Sequence, residues 1–305
     1  MRIGIALPNY GPLASPETLG RLAERACACG VDSVWVSDHL VAPVGVASVY
    51  PYDRRPHPTP GDMGVIEHFY EPLITLAYLA GRVPTLRLGV SAYVMPYRNP
   101  VVTAKQIASL DALSGGRVML AVGVGWLREE FEALGVPFED RGRRTEEYLA
   151  VAKALWAGGE ARFAGRTYRL PPVRTGPLPV QRPHPPLWIA GNSPRAVRRA
   201  ARLGDGWHAI DLGPEELAPA VARLRAEAVA AGRDPDTLTV SLRKGVLPGG
   251  ADPRPLYGDP DKIRRDLEAY AHAGVGYVVA SLRRAASAED AERALEAAAS
   301  ALTDR

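Results

Sequence analysis

The pair Asp38–His39 is the first candidate for chemistry in this chain, because it stands where an apolar run ends. The stretch GVDSVWVSDHL, residues 30–40, reads as a buried strand that closes on a carboxylate and an imidazole. A histidine can donate, accept or titrate a proton near neutral pH, and an adjacent carboxylate can orient a ring or a backbone turn. The alternative is that Asp38 only caps the loop and that His39 is a satisfied polar residue. We take His39 as the catalytic candidate.

A second candidate is an anion site in the stretch IAGNSPRAV, where a strand runs into Gly191, Asn192 and Ser193. Ser193 is a natural N-cap and Pro194 a natural first helical residue. The backbone amides of residues 191–193 and 195 would then point out of a helix N-terminus, where the dipole favours an anion, with Arg195 in the first turn. The alternative is an ordinary capped helix.

A third candidate is the run of small residues in LGVSAYVMPYRNP, where Gly89, Ser91 and Ala92 follow one another along a strand. Small side chains there would leave room for a flat group to lie over the backbone. The alternative is that they only relieve crowding between neighbouring strands.

Several common motifs are missing from the sequence. The stretch AVGVGWLREEFEALG has two glycines but no third at dinucleotide-binding spacing. There is no G-x-S-x-G elbow, no Walker loop and no zinc-type spacing of Cys and His. Cys27 and Cys29 lie two apart in a helical stretch, so they point to different faces and predict neither a bridge nor a metal site.

The elements that must position these candidates alternate between strand and helix along the whole chain. Eight apolar strands are each followed by a helical pattern, and continuous apolar strands are typical of a parallel sheet covered on both sides. Eight such units in 305 residues predict an α/β fold, a (β/α)8 TIM barrel forming one domain over residues 1–305. The predicted strands are RIGIAL, SVWVS, LRLGVSAY, RVMLAVG, PLWIAG, GWHAI, LTVSLR and GYVVAS.

Two long insertions interrupt this alternation. Residues 41–70 follow the second strand on the catalytic face of a barrel and are the candidate substrate lid. Residues 158–185 precede the fifth strand, so we expect them on the opposite side, with a short hairpin around Gly165. The lid contains Tyr50, Tyr52, His57 and His68, which could contact substrate or simply be exposed loop residues.

Composition narrows the class of protein. The chain is 47% hydrophobic and 23% charged with a net charge of +3, which does not favour nucleic-acid binding. No apolar run is long enough to span a membrane and no signal segment opens the chain, so we expect a cytoplasmic protein with a small-molecule substrate.

The same stretches resemble the bacterial luciferase-like superfamily of flavin and deazaflavin oxidoreductases. The resemblance covers nearly the full chain and is closest to the branch that depends on coenzyme F-420, an 8-hydroxy-5-deazaflavin. The matching stretches are RIGIALPNYG, GVDSVWVSDHL, RLGVSAYVMPYRNP, ALSGGRVMLAVGVGWLREEFEALGVPFEDRGRRTEEYL and PPLWIAGNSPRAVRRAARLGDGWHA.

The resemblance implies a (β/α)8 barrel, commonly a homodimer, with the cofactor ring at the carboxyl ends of the strands. It implies that Asp38 and His39 approach the ring after the second strand. Ser91–Ala92 match a non-prolyl cis peptide that forms a bulge behind the ring. The loop of residues 191–193 matches the one that holds the cofactor phosphate.

One position departs from the sugar-phosphate dehydrogenases that this chain resembles. Those enzymes carry a proton-transferring acid where Trp126 stands in GVGWLREE. An indole cannot take that role, so we do not expect glucose 6-phosphate oxidation. Trp126 could wall the substrate side or simply pack, and the sequence does not place Glu129 or Glu130 in the pocket.

Three functions therefore stay open. The first is hydride transfer between coenzyme F-420 and a small organic substrate. The second is an FMN-dependent monooxygenase on the same scaffold. The third is a protein that holds such a cofactor without turnover. Arg98, Arg128 and Arg195 would favour the anionic tail of the deazaflavin but equally suit surface ion pairs.

Overall fold

The predicted barrel is present in a computed structural model that describes residues 1–52, 67–248, 256–282 and 285–303. Eight parallel strands close on themselves in the ring order β1–β2–β3–β4–β7–β8–β9–β12. Each of the eight predicted strands is found. The strands are β1 (Arg2–Ala6), β2 (Ser33–Val36), β3 (Arg87–Val94), β4 (Val118–Gly123), β5 (Ala161–Ala164), β6 (Arg169–Val173), β7 (Leu187–Ala190), β8 (Gly206–Ile210), β9 (Thr239–Gly245), β10 (Leu247–Pro248), β11 (Tyr257–Gly258) and β12 (Tyr277–Ser281).

The helices surround the barrel, and most begin with the same local signal, a proline in the first turn after a capping side chain. Ser15 accepts a hydrogen bond from the amide of Thr18 at 3.1 Å, and Asn99 and Ser193 cap their helices in the same way. The helices are α1 (Pro16–Ala28), α2 (Pro72–Arg82), α3 (Pro100–Leu113), α4 (Arg128–Ala133), α5 (Arg141–Trp156), α6 (Pro194–Leu203), α7 (Pro214–Ala230), α8 (Pro260–His272) and α9 (Ala288–Thr303).

The lower part of the barrel lumen is filled by aromatic rings. Trp35 stacks on Trp188 with ring centroids 5.4 Å apart, and Tyr277 meets Trp188 edge-on at 5.0 Å. Neighbouring strands make room for these rings with glycines. A Cβ at Gly89 would lie 2.2 Å from the nearest atoms of the Trp35 ring, and one at Gly206 would lie 2.7 Å from Trp188. Gly89 therefore accommodates an indole of the core and not a ligand, which decides between the two interpretations of this glycine.

The insertion of residues 158–185 contacts α5 and the amino-terminal end of β4. Strands β5 and β6 pair as an antiparallel hairpin around Gly165. Further along, the side chain of Gln181 donates to the carbonyl of Val118 at 2.7 Å, at the first residue of β4, and to the Asp111 carboxylate at 2.7 Å. The end of the insertion thus packs against the amino-terminal end of β4, while its hairpin binds Glu147 on α5.

Two features were not foreseen. The short helix α4 follows β4 directly, and the two-residue strands β10 and β11 pair with each other. Cys27 and Cys29 are free thiols in the structure. Within the described ranges, no helix is both long and apolar enough to cross a membrane, and no group of His, Cys, Asp or Glu could hold a metal ion.

The lid candidate is described only at its two ends. Residues 41–52 run without regular structure, and Phe69 forms an isolated antiparallel bridge with Tyr10. His57 lies outside the described residues.

The substitution Gly89→Ala tests the packing of the lumen. The added methyl group must displace the buried Trp35, so we expect a loss of about 1–3 kcal/mol in the free energy of unfolding, measured in urea. Gly81→Ala is the matched control, because a Cβ at this glycine of α2 meets nothing within 4 Å and should leave stability unchanged or slightly higher. Equal stability of the two variants would contradict this account of the core.

Candidate active site

A layer of polar side chains closes the lumen above the aromatic rings. We call it the polar floor, and it consists of Ser37, Ser91, His208, Ser241 and Arg243. The ring of His208 bridges two hydroxyls, since Nε2 lies 2.8 Å from Ser91 Oγ and Nδ1 lies 2.8 Å from Ser241 Oγ. Complete burial, reinforced by the positive charge of Arg243, lowers the pKa of His208 to about 3. The imidazole is therefore neutral at physiological pH. Its two hydrogen bonds connect Ser91 on β3 with Ser241 on β9.

The backbone of β3 is irregular at the level of this floor. The peptide bond Ser91–Ala92 is cis, and the register between β3 and β4 shifts between Ser91 and Tyr93. The carbonyl of Ser91 accepts a hydrogen bond from Arg243, whose second nitrogen donates to Ser37 Oγ at 2.9 Å. The non-prolyl cis bulge implied by the resemblance is thus confirmed.

Asp38 lies beside the mouth with its carboxylate fully engaged by the protein. One oxygen accepts from the amide of Val94 at 2.9 Å, and Arg98 donates to both oxygens at 2.8 and 2.9 Å. Arg98 also pairs with Glu71 at 3.0 Å. Asp38 therefore ties the end of β2 to the end of β3, and Arg98 belongs to this ion-pair network.

His39 is held by a buried carboxylate that the sequence did not assign to the site. Its Nδ1 lies 2.6 Å from one oxygen of Glu130, which also accepts from the Tyr97 hydroxyl at 2.8 Å. The other oxygen accepts from the amide of Leu40 at 2.6 Å. The sequence shows only that Glu130 is an acidic residue shortly after a barrel strand. Because the helix α4 was not predicted, this residue could not be directed toward His39.

The electrostatics of this pair keep Glu130 ionised. Burial acts to raise the pKa of Glu130, but the hydrogen bond and charge of His39, the Leu40 amide and the Tyr97 hydroxyl outweigh it, and the net shift is downward. Burial and the Glu130 charge together raise the pKa of Tyr97, which stays a neutral donor. His39 Nε2 has no hydrogen-bond partner in the part of the chain that the structure describes, so it is the nitrogen left for a ligand.

Aromatic side chains form a chain of ring contacts at the mouth, which we call the aromatic collar. His39 meets Phe69 at 5.4 Å and Trp126 at 6.3 Å between ring centroids. Tyr50 meets Trp126 at 5.2 Å and Tyr52 at 5.3 Å. The collar is made of Tyr10, His39, Tyr50, Tyr52, Phe69 and Trp126. The structure thus places Trp126 and Tyr50 together beside His39.

His68 is not part of the collar. Its Nε2 lies 3.0 Å from the carbonyl of Ala14, and its ring packs against Tyr70. It anchors the end of the lid to the loop after β1, so its place as a substrate contact is not supported by these contacts.

The candidate anion site keeps its predicted helix cap, but the amides of Gly191 and Asn192 already face acceptors of the protein. Gly191 is buried at φ +123°, and Ser193 caps α6 by accepting from the amide of Ala196 at 3.2 Å. The side chain of Asn192 exchanges two hydrogen bonds with the backbone of Ile210, at 2.7 and 2.9 Å. The Gly191 amide, however, donates to the carbonyl of His208 at 3.1 Å, so it is not available to an anion.

A residue of the lid covers this site. The hydroxyl of Tyr52 lies 3.2 Å from the position that a Cβ would take at Gly191, and the Asn192 amide faces it. Burial, together with neighbouring Tyr50, raises the pKa of Tyr52 to about 12, so the hydroxyl is neutral. Arg195 is exposed in the first turn of α6. A small cradle at a helix N-terminus, with first-turn amides that lack intrahelical acceptors, fits an anionic group such as a phosphate.

Two other basic residues lie near the strand ends. Arg128 pairs with Glu139 on the surface and lies over the Phe138 ring, which is the alternative of a surface ion pair. Arg243 was missed, because in the stretch LTVSLRKG it reads as a polar residue at the end of an apolar strand.

The comparisons with known proteins agree with this geometry. A family model described as luciferase-like monooxygenase matches residues 1–249. The chain belongs to the luciferase-like monooxygenase family. It is therefore a member of a family of oxidoreductases and monooxygenases that act on small molecules.

One relative of this luciferase-like chain is the phthiodiolone/phenolphthiodiolone dimycocerosates ketoreductase of Mycobacterium tuberculosis. The two are 35% identical over 254 residues, which cover 77% of this chain and 62% of the relative. The match thus spans less than two thirds of that ketoreductase.

Solved structures show the same fold at low identity. The monooxygenase RslO1 from Streptomyces bottropensis has a TM-score of 0.82 at 22% identity, covering 99% of this chain and 98% of that one. An F-420-dependent secondary alcohol dehydrogenase, solved with an F-420–acetone adduct, has a TM-score of 0.78 at 18% identity and covers 99% of both chains.

The substitution Glu130→Gln tests the His39–Glu130 pair in this luciferase-like barrel. Because the pKa of Glu130 is lower in the folded chain, its contribution to stability is present above pH 4.5 and is lost as the pH falls further. We expect the variant to lose about 1–3 kcal/mol of unfolding free energy at pH 7 and progressively less in acid.

The control is Glu132→Gln, two residues away and exposed on α4, which should unfold like the wild type at every pH. A deficit in Glu130→Gln that stays constant from pH 7 to pH 3 would show that the carboxylate is not ionised in the folded state.

Proposed function

We propose that this protein transfers a hydride between coenzyme F-420 and a small alcohol or ketone. The observation that carries the proposal is the His39–Glu130 pair, a proton-handling imidazole fixed by an ionised carboxylate at the mouth of the barrel. It lies within an aromatic collar, at the same end of the barrel as the cis bulge at Ser91–Ala92.

The residues present fit such a cofactor. The cradle of residues 191–193 would hold its phosphate at the start of α6, and its ring would lie between the polar floor and the collar. When bound, the cofactor supplies the two-electron chemistry, and the protein supplies orientation, proton handling and the exclusion of water.

His39 would move the proton that accompanies the hydride. Oxidation of a secondary alcohol releases a hydride from carbon and a proton from oxygen, and Nε2 of His39 is the nitrogen available to accept that proton. Glu130, bound to Nδ1 at 2.6 Å, would stabilise the imidazolium that forms. In the reverse direction His39 would return the proton to the carbonyl oxygen. Trp126 beside it offers no second acid, and the reaction needs only the one proton that His39 handles.

The names of two similar proteins support chemistry at an alcohol or a ketone. The printed name of the mycobacterial relative is that of a ketoreductase, and a neighbour with the same fold is an F-420-dependent secondary alcohol dehydrogenase. Both names describe the interconversion of a carbonyl and an alcohol.

The second candidate is an FMN-dependent monooxygenase. It is favoured by the fold match to a monooxygenase at a TM-score of 0.82 and by the family description itself. The polar floor and the cradle suit either cofactor, because both cofactors carry a phosphate and a tricyclic ring with a pyrimidinedione edge. The third candidate, a non-catalytic cofactor carrier, leaves the His39–Glu130 pair without a role.

Label transfer under anaerobic conditions separates these functions. Secondary alcohols carrying deuterium on the carbinol carbon are incubated with the protein and oxidised coenzyme F-420, and the reduced cofactor is analysed by mass spectrometry. We expect deuterium in the reduced F-420. Turnover only with reduced FMN and oxygen would favour the monooxygenase, and no turnover with either cofactor would favour the carrier.

The substitution His39→Gln should lower kcat about 10²- to 10⁴-fold while changing the Kd of the cofactor little, because the imidazole acts on the proton and not on binding. His272→Gln is the control, since this imidazole is exposed at the end of α8. Equal kcat in the two variants would remove His39 from the mechanism.

A further inference from the structure

Arg243 crosses the barrel from the strand opposite the cis bulge. In the ring of eight strands, β9 stands diametrically across from β3. The Arg243 guanidinium nevertheless donates to the carbonyl of Ser91 on β3 and, at 2.9 Å, to the hydroxyl of Ser37 at the end of β2. It therefore lies in the lumen, at the level of the polar floor and directly beneath the mouth.

This guanidinium differs from the neighbouring basic groups in having no counter-charge. Lys244, next in the chain, pairs with Asp211 at 2.8 Å, and Arg98 pairs with Asp38 and Glu71. Across residues 1–52, 67–248, 256–282 and 285–303, no carboxylate lies within ion-pair distance of Arg243.

The remaining neighbours do not neutralise it either. Ser91, Ser37 and the neutral ring of His208 offer dipoles but no negative charge. The side chain is only partly buried, and a guanidinium carries five N–H donors, of which the bonds to Ser91 and Ser37 use a part. A fixed cation with spare planar donors at the bottom of a pocket is suited to a planar ligand edge that carries oxygen acceptors and gains negative charge.

We propose that Arg243 binds the pyrimidinedione edge of the cofactor ring and stabilises the negative charge that this edge gains on reduction. The inference rests on the proposed function, and it holds for coenzyme F-420 and FMN alike because both rings carry this edge. The edge is also the part of either ring that fits a guanidinium fork, because a carbonyl oxygen and the unprotonated ring nitrogen beside it are coplanar acceptors.

In this proposal the pocket has one end for the phosphate and another for the pyrimidinedione edge. The phosphate would lie at the start of α6, under the Tyr52 hydroxyl, and the pyrimidinedione edge would lie against Arg243 between β9 and β3. The opposite side of the ring, under the aromatic collar, stays open to substrate and to His39 Nε2. Arg243 is thus a positioning residue for the ring and a source of the positive potential that favours the reduced form.

Binding of ring-only and phosphate-bearing ligands separates the two halves of the pocket. The Kd values of riboflavin, FMN, coenzyme F-420 and its phosphate-free chromophore are measured for the wild type, Arg243→Met, Arg243→Gln and Arg243→Lys. Arg225→Met, an exposed arginine on α7, is the matched control. We expect both neutral variants to bind each ligand about tenfold more weakly or worse, by the same factor with and without phosphate.

The midpoint potential of the bound cofactor is the readout that a purely structural role would not move. If the neutral variants lose a further tenfold in affinity for the reduced ring, the potential falls by about 30 mV for this two-electron couple. Arg243→Lys keeps the charge and should retain the potential while losing affinity. Arg243→Gln keeps a donor to Ser91 and guards against misfolding of Arg243→Met.

Two results would overturn the proposal in distinguishable ways. Wild-type protein that binds none of the four ligands would contradict the proposed function together with the role of Arg243. Wild-type binding with unchanged affinities and potential in a folded neutral variant would leave the function standing and show that Arg243 is only a cross-link between strands.

Discussion

Ser91 is the point at which side chains from opposite strands meet across the barrel. Its hydroxyl contacts His208 from β8, and its carbonyl accepts from Arg243 on β9. These contacts span the full width of the lumen, so they set the depth of the pocket at the carboxyl ends of the strands. Below them the space is filled by the stacked rings of Trp35 and Trp188.

The His39–Glu130 pair also depends on the arrangement of neighbouring strand ends in the barrel. Burying a carboxylate is unfavourable unless its oxygens are fully hydrogen-bonded, and Glu130 meets this requirement with donors from His39, Leu40 and Tyr97. These donors come from the segments that follow β2 and β3, while Glu130 itself follows β4. The imidazole is therefore positioned by three neighbouring strand ends, which explains how a loop residue after β2 can hold a fixed orientation.

Much of the scaffold could be predicted from the sequence, because its signals are local. Continuous apolar strands identify the eight strand–helix units, and prolines in the first turn mark where most of their helices begin. The position of Asp38 and His39 at a strand end follows from these units. The cis bulge came from the resemblance to a family, whereas the anion site at residues 191–193 was already indicated by the Ser193–Pro194 helix start.

What could not be predicted depends on distant pairings. Glu130 acts through a histidine 91 residues earlier in the chain, and Arg243 acts through a carbonyl 152 residues away. Gly89 could not be distinguished from a ligand-facing glycine until Trp35 on the neighbouring strand was placed. In each case the role of the residue depends on which strands are adjacent or opposite in the closed barrel. The spacing of residues in the sequence does not reveal these relations.

The central claim is that the mouth of this barrel is a site for a deazaflavin cofactor. Parallel titration of the purified protein with coenzyme F-420 and with FMN tests it most directly, with quenching of tryptophan fluorescence as the signal. Of the five tryptophans in the chain, Trp126 lies in the aromatic collar and Trp35 and Trp188 lie beneath the polar floor. The account predicts saturable quenching by coenzyme F-420 with a lower Kd than for FMN. Absence of quenching by both, in a folded protein, would contradict it.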